Sequence, residues 1–334
     1  MASIIEDLLK RNAYPENPEN IKHIQTHISN VFVCDDYVYK IKKSVNFGFL
    51  DFSTLEKRKY YCKKEVELNS RFSDDVYIGV FPVTFDGNNH YIGGKGKIVE
   101  YAVKMKRISN DDILKTRFEN KTLKMSDIDR VAKAIAIFHK NSKNSEEIDE
   151  FGKLKTIKFN TDENFQQTEE FIGTSITNKQ FYDLKKWTDN FYEKNPELFE
   201  KRIENKKIRD CHGDLHMEHI VLTDPIIIID CIEFNDRFRY SDILSEIAFL
   251  LMDLEYNGGK NFSEKLLSSY IDFADEKFNK ETIDLIKYYK VYRAYVRGKV
   301  TSFILNDKSV KDNIKNEARI IAQRYFSLAH SYIN

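Results

Sequence analysis

Cysteine is sparse and scattered: Cys34, Cys62, Cys211 and Cys231 form no CxxC pair, which argues against a disulfide framework and against a zinc site. The four read as buried thiols. Excess charge of either sign is also missing, because 53 lysines and arginines balance 53 aspartates and glutamates. No global attraction to nucleic acid or to an anionic membrane surface is therefore encoded. Long apolar runs are absent too; the longest, residues 243–254, is broken by Ser245, Glu246 and Asp253, well short of a membrane span. The N-terminal ten residues carry acids where a secretory signal carries bases. They read as an amphipathic helix, and a cytoplasmic location is expected. No internal repeat is visible, and no GxxxxGK[ST] phosphate loop. The glycines of Gly93-Gly94-Lys95-Gly96 lie between strand patterns and read as a hairpin turn.

What is present, 334 residues with 41% apolar side chains, suffices for two lobes with cores of their own. Residues 1–22 read as a helix and a linker punctuated by Pro15 and Pro18. From residue 24 the pattern becomes strand-like, over 24–28, 31–34 and 37–42. Ser53-Thr54-Leu55-Glu56 then opens a helix, followed by strands over 76–84 and 97–105. Past residue 105 the chain turns helical, over 131–139, 180–194 (ended before Pro196), 243–255 (ended by Gly258-Gly259) and beyond. The polar, poorly periodic segment 141–175 reads as loop or short helix. The change of pattern predicts a lobe boundary at 105/106, with domains 1–22, 23–105 and 106–334.

The chemistry concentrates in the stretch from Asp210 through Cys211, His212, Gly213 and Asp214 to Ile220. An apolar strand follows, then a turn at Asp224-Pro225, then a second apolar strand ending at Asp230. Such a hairpin holds Asp214 and Asp230 at one end of a rigid element. Phosphoryl-transfer enzymes divide labour between two such acids, one orienting the attacking hydroxyl and one binding the Mg2+ of the nucleotide. In the strand Tyr37-Val38-Tyr39-Lys40-Ile41-Lys42, Val38, Lys40 and Lys42 share a face. Lys40 has an apolar residue two positions earlier to cover a nucleotide base, so it is the preferred phosphate ligand, with Lys42 second. Glu65 falls on an apolar stripe with Tyr61, Leu68 and Phe72, where an unpaired carboxylate is expensive. Lys40 is its natural partner. Ser29, in the polar turn 26–30, is placed to cover phosphates, although a plain hairpin reads equally well.

With these residues, the chain resembles the aminoglycoside phosphotransferase superfamily, small-molecule kinases that include choline and fructosamine kinases. It looks similar to a prokaryotic subgroup marked by VYKIKK, NFGFLDFST, the Cys-His-Gly-Asp loop, Asp-Cys-Ile-Glu-Phe-Asn and a late Tyr-Arg-Ala-Tyr-Val-Arg helix. In many of these a P-loop ATPase domain follows; no Walker sequence occurs here. The resemblance covers residues 20–325 and implies an α+β, protein-kinase-like two-lobed fold: an N-lobe of antiparallel sheet plus one helix, and a larger helical C-lobe. It implies ATP and Mg2+ as cofactors, Asp214 as catalytic aspartate, Asp230 as metal ligand and Lys40 with Glu65 as the phosphate-positioning pair. Residues 105–108, including Met105 and Arg107, would be the hinge that meets adenine. Where the superfamily has a metal-binding Asn, this chain has His219. An imidazole there would hold Asp214 or a phosphate, while Asn235 or Glu233 supplies the metal's missing oxygen.

A small-molecule substrate is expected. Lys290, Arg293 and Arg297 share a helix face, and residues 281–334 hold ten Lys or Arg against five Asp or Glu. Tyr288, Tyr292 and Tyr295 make every side of that helix partly apolar, which places some arginine inward. This excess suits a neutral or anionic acceptor, which arginine forks bind well, and not a polycationic aminoglycoside. No nucleic acid or membrane partner is expected, and oligomeric state is not encoded. A protein kinase on the same fold, or a nucleotide-binding regulatory module without catalysis, are the alternatives.

Overall fold

The computed structural model describes residues 3–73, 75–308 and 310–334. They form two compact units, Met1–Thr122 with Glu218–Asp236, and Leu123–Met217 with Arg237–Asn334. The boundary expected at 105/106 thus lies inside the first unit, and the hairpin segment 218–236 returns to it. Among the described residues, no helix is long and apolar enough to cross a membrane.

The first unit is built on an antiparallel sheet. Among the described residues its strands are β1 (Lys22–Gln25), β2 (Ser29–Val33), β3 (Tyr37–Lys42), β4 (Tyr77–Phe85), β5 (His90–Ile92) and β6 (Lys97–Lys106), in the order β1-β2-β3-β6-β4-β5. The short β5 was not expected, since three residues give alternation too little length to register. Period-two alternation in β3 sorts its side chains. Tyr39 and Ile41 enter a core with Leu8, Tyr14, Phe32, Val83 and Ala102. Val38, on the opposite face, packs against a second cluster of Cys62, Val76, Tyr77, Val103 and Met105, joined by Ile227 and Ile229. Helix α1 (Leu55–Asn69) is capped by Thr54, whose hydroxyl accepts from the Lys57 amide, and buries Cys62, Glu65 and Leu68.

The structure refines three expectations for this unit. In the segment 1–22, read as a helix and a linker, the described residues hold a helix at Ile4–Asp7 and a helical turn at Arg11–Ala13, and Leu8, Ala13 and Tyr14 are built into the sheet's core. The first turn of the sheet is shorter than read, so Ser29 begins β2 opposite Lys42, and its hydroxyl is enclosed. The Asp224-Pro225 hairpin pairs only Ile220–Val221 with Ile227–Ile228. Its strands are fastened to this unit because Leu222 donates to the Asp112 carbonyl (2.7 Å) and the isoleucines fill the second cluster.

The second unit is helical: α2 (Met125–Asn141), α3 (Leu154–Thr168), α4 (Asn178–Lys194), α5 (Pro196–Glu204), α6 (Ile243–Tyr256), α7 (Lys260–Ala274), α8 (Lys280–Phe303) and α9 (Asp312–Ser331), with a two-stranded ribbon of Ile208–Asp210 and Tyr240–Asp242. Every residue of α6 from Ile243 to Leu254 is buried, as an all-round apolar helix should be. Its core partners come from α3, α4, α8 and α9 through Phe165, Leu184, Tyr295 and Phe326. Within 141–175, expected as loop or short helix, α3 takes the helical alternative and is longer than read. The residues it buries, Thr161, Asn164, Phe165 and Thr168, have helical spacing but are mostly polar, so hydrophobic periodicity could not reveal them. Hydrogen bonds across the core serve part of this face: Thr161 accepts from the Tyr192 hydroxyl (2.6 Å) and Asn164 Oδ1 from Lys299 (2.7 Å). Pro196 does not merely end α4; it begins α5 at the first helical position, where its missing N–H is no loss.

Candidate active site

In the first unit five charged side chains meet. The Lys40 ammonium lies 2.6 Å from Asp230 Oδ1 and 3.0 Å from Glu65 Oε1. Lys42 pairs with Glu65 Oε2 at 2.6 Å and also with Glu233. Glu65 is fully buried and so is nearly all of Lys42. Burial opposes the charge on Glu65, and the two ammonium groups overcome it, holding the carboxyl below its usual range. Lys40 is displaced the other way: desolvation is outweighed by Asp230 and Glu65, and its pKa rises well above normal. Burial, reinforced by Glu65, pushes Glu233 upward against the pull of Lys42.

Asp230 sits at the end of the hairpin with φ of 64°, a left-handed conformation that non-glycine residues adopt at some strain. It is held there: its N–H donates to the Tyr77 hydroxyl (3.1 Å), and the next N–H, of Cys231, donates to Asn69 Oδ1 (2.9 Å). His219 Nε2 is 3.7 Å from Asp230 Oδ2, so within this unit the histidine stands beside the metal-ligand candidate. One expected metal donor is otherwise engaged, and the other is held through its amide nitrogen. Glu233 is buried against Lys42, and the Asn235 amide donates to the Phe49 carbonyl (2.9 Å). Of the hinge residues, Met105 buries its side chain in the cluster with Val38. The Arg107 guanidinium donates to the Cys34 carbonyl (3.2 Å), so its side chain serves the fold, and the Arg107 backbone N–H donates to the Asp36 carbonyl (2.8 Å). The enclosed Ser29 hydroxyl does not face solvent.

Asp214 belongs to the second unit, on a loop tied down through its backbone. The buried Glu246 carboxylate of α6 accepts from the N–H groups of His212 (2.7 Å) and Gly213 (2.8 Å), and meets His139 Nε2 at 3.1 Å. Burial would raise the Glu246 pKa, but His139 and these amides bring it down to about 2. Asp253 accepts from the Met217 N–H (2.9 Å). His216 Nε2 lies 3.5 Å from Asp214 Oδ2; desolvation works against the imidazolium, and Asp214 outweighs it, raising the His216 pKa.

Neither Glu246 nor Asp253 was singled out as functional in the sequence. Both interrupt an apolar helix, the same signal that identified Glu65.

Arg293 is corrected from substrate ligand to framework. It is buried, with Nε donating to the Ser245 carbonyl (3.2 Å) and a terminal nitrogen to the Gly213 carbonyl (3.3 Å). Arg297 is half-buried over the Tyr325 ring at 5.5 Å. Burial lowers its pKa, but Tyr325 and Asp214 more than compensate and hold the charge. Lys290 is paired with Glu255 at 2.6 Å.

A divalent metal fits the first unit's donor set. Mg2+ seeks carboxylate oxygen, and the Asp230 side chain is 46% exposed. Around it two lysines face three carboxylates, a formal excess of one negative charge that a cation relieves.

No family model matches the chain. An uncharacterized protein of Mycobacterium tuberculosis is 29% identical over 291 residues, which is 86% of this chain and 56% of that protein. A Mycobacterium bovis protein matches with the same figures. The chain thus spans about half the length of these curated relatives. Among solved structures, a choline/ethanolamine kinase family protein of Mesorhizobium loti is similar with TM-score 0.54 at 12% identity over 98% of both chains. Aminoglycoside 2'-phosphotransferase-IIIa, in its GDP complex, is similar with TM-score 0.57 at 12% identity over 93% of both. The chain therefore has the kinase-like fold of these small-molecule phosphotransferases, as its motifs implied.

Proposed function

We infer that the protein is a small-molecule kinase, transferring the γ-phosphate of ATP to a hydroxyl of a small metabolite in the presence of Mg2+. The observation that supports this most is the placement of Lys40 between Glu65 and Asp230 in a chain of this fold. Lys40, kept charged and oriented by Glu65, aligns the α- and β-phosphates; Asp230 holds the metal; Asp214 orients the acceptor hydroxyl and takes its proton. Bound Mg2+ supplies neutralisation of phosphate charge. Catalysis by such an arrangement rests on positioning and electrostatics. The backbone of 105–108 is the proposed adenine hinge. Arg297, charged and electrostatically coupled to Asp214, suits an acceptor that is neutral or anionic.

The test is incubation of wild type and Asp214→Asn with ATP labelled at the γ-phosphate and a cellular metabolite pool. A labelled small molecule should form with wild type and fall by roughly 10²–10⁴-fold in the variant, the usual scale for losing a general base. Label in protein alone would make it a protein kinase. ATP binding without turnover of any metabolite would make it a regulatory module, a reading motivated by His219.

A further inference from the structure

Phosphate alignment and metal binding employ Lys40, Glu65 and Asp230, which leaves Lys42 and Glu233 unaccounted for. Their side chains are 1% and 5% exposed, so neither presents its charge to solvent. A buried ion pair is no more stable than a well-packed apolar pair, because desolvation offsets the attraction; its value lies in fixing geometry.

The geometry here is specific. Lys42 follows Lys40 by two residues on the same face of β3, and Glu233 follows Asp230 by three in the loop beyond the hairpin. Two rungs therefore join the same pair of segments, Lys40 to Asp230 and Lys42 to Glu233, with Glu65 bonded to both lysines at 3.0 and 2.6 Å. The first rung consists of groups that ligands require. When Lys40 turns to phosphate and Asp230 to metal, that rung is given up. The second contains no ligand-binding group and persists. Asp230, in its strained left-handed conformation, needs such a hold.

We propose that Lys42 and Glu233 form a positioning pair for metal binding, keeping the loop of Asp230 seated on β3 after the Lys40–Asp230 contact has opened. This rests on the kinase reading above. It assigns Glu233 an indirect role, through Asp230.

The experiment measures ATP affinity by titration calorimetry in EDTA and again in excess Mg2+, for wild type, Lys42→Met/Glu233→Gln and Lys42→Arg, with melting curves to check folding. In wild type, Mg2+ should tighten ATP binding. The double variant should lose at least tenfold of that tightening while its metal-free affinity stays within threefold, and Lys42→Arg, which keeps the charge, should retain most of the tightening. Unchanged tightening in the double variant overturns the proposal, as does an equal fall of both affinities, the mark of a merely structural pair. If the double variant does not fold, Glu233→Asp, shorter by one methylene with its charge kept, should lose at least threefold of the tightening; no loss again overturns the proposal. Absence of ATP binding by wild type itself is a different outcome, and it removes the kinase reading together with this one.

Discussion

The charged cluster of the first unit and the Asp214 loop of the second are held by opposite means. Lys40, Lys42, Glu65, Asp230 and Glu233 hold one another, side chain to side chain, through ions. The loop around Asp214 is held by its backbone: Glu246 takes two of its N–H groups, Asp253 a third, and Arg293 one carbonyl. Ionic contacts can be exchanged for contacts with a ligand of the same charge. Backbone contacts buried at Glu246 have no such substitute, because an amide left unbonded there loses both protein and water. The contacts of the first region are thus exchangeable in kind, and those of the second are not.

The contrast is sharpest at Glu246. Its replacement by Ala leaves two buried amides and His139 without their acceptor, and should destabilise the protein by about 3–5 kcal/mol in urea unfolding, as expected for a broken buried charge network. Lys40→Met, in the exchangeable cluster, should cost less stability, because Lys42 still faces Glu65, yet suppress phosphoryl transfer strongly. Equal stability losses would dissolve the distinction.

Acid reveals the same asymmetry. The Glu246 carboxyl is held at about 2 in the folded protein, against an ordinary 4.5. Its contribution is complete above about pH 4.5 and disappears as pH falls toward 2, amounting to roughly 3 kcal/mol by linkage. Denaturation at pH 6 and pH 3 should therefore show a steeper loss in wild type than in Glu246→Gln, with a gap of about 2 kcal/mol, because part of the contribution survives at pH 3.

Smaller effects separate the two arginines of α8. Arg293→Ala should lower stability by about 1–3 kcal/mol, since it strands the Gly213 and Ser245 carbonyls. Arg297→Ala should leave stability within about 1 kcal/mol, typical of a side chain that anchors no backbone, and raise the KM for the acceptor. The reverse pattern would return Arg293 to substrate binding. Smallest of all, His219→Asn should alter the Mg2+ requirement by only a few fold, read from the metal dependence of turnover, because Asp230 retains its carboxylate.

Much of this was legible from electrostatic reasoning about single residues. A carboxylate on an apolar stripe demands a cation, and Glu65 accordingly has two. Val38 favoured Lys40 over Lys42, and Lys40 is the one that also reaches Asp230. Helical spacing alone was less informative. The tyrosines of α8 placed some arginine inward, which proves to be Arg293, but could not name its partner, Gly213, eighty residues away. Glu233 was read, with Asn235, as the oxygen donor that would replace the Asn missing at His219, whereas in the fold it faces Lys42. Helix α3 escaped because its buried face is made of Thr and Asn, whose burial is stabilised by hydrogen bonds that no hydropathy pattern records. The fold class was readable through the resemblance carried by the motifs; the membership of 218–236 in the first unit was not, since it depends on isoleucines meeting a cluster formed over a hundred residues earlier.

The backbone angle of Asp230 limits how that position can be altered. Side chains branched at Cβ are excluded there on steric grounds alone, whatever their chemistry, whereas asparagine tolerates the same conformation and matches the shape. Asn is therefore the substitution that removes the negative charge and leaves the turn of the chain undisturbed, and a valine or isoleucine introduced at 230 would report on contortion of the main chain instead.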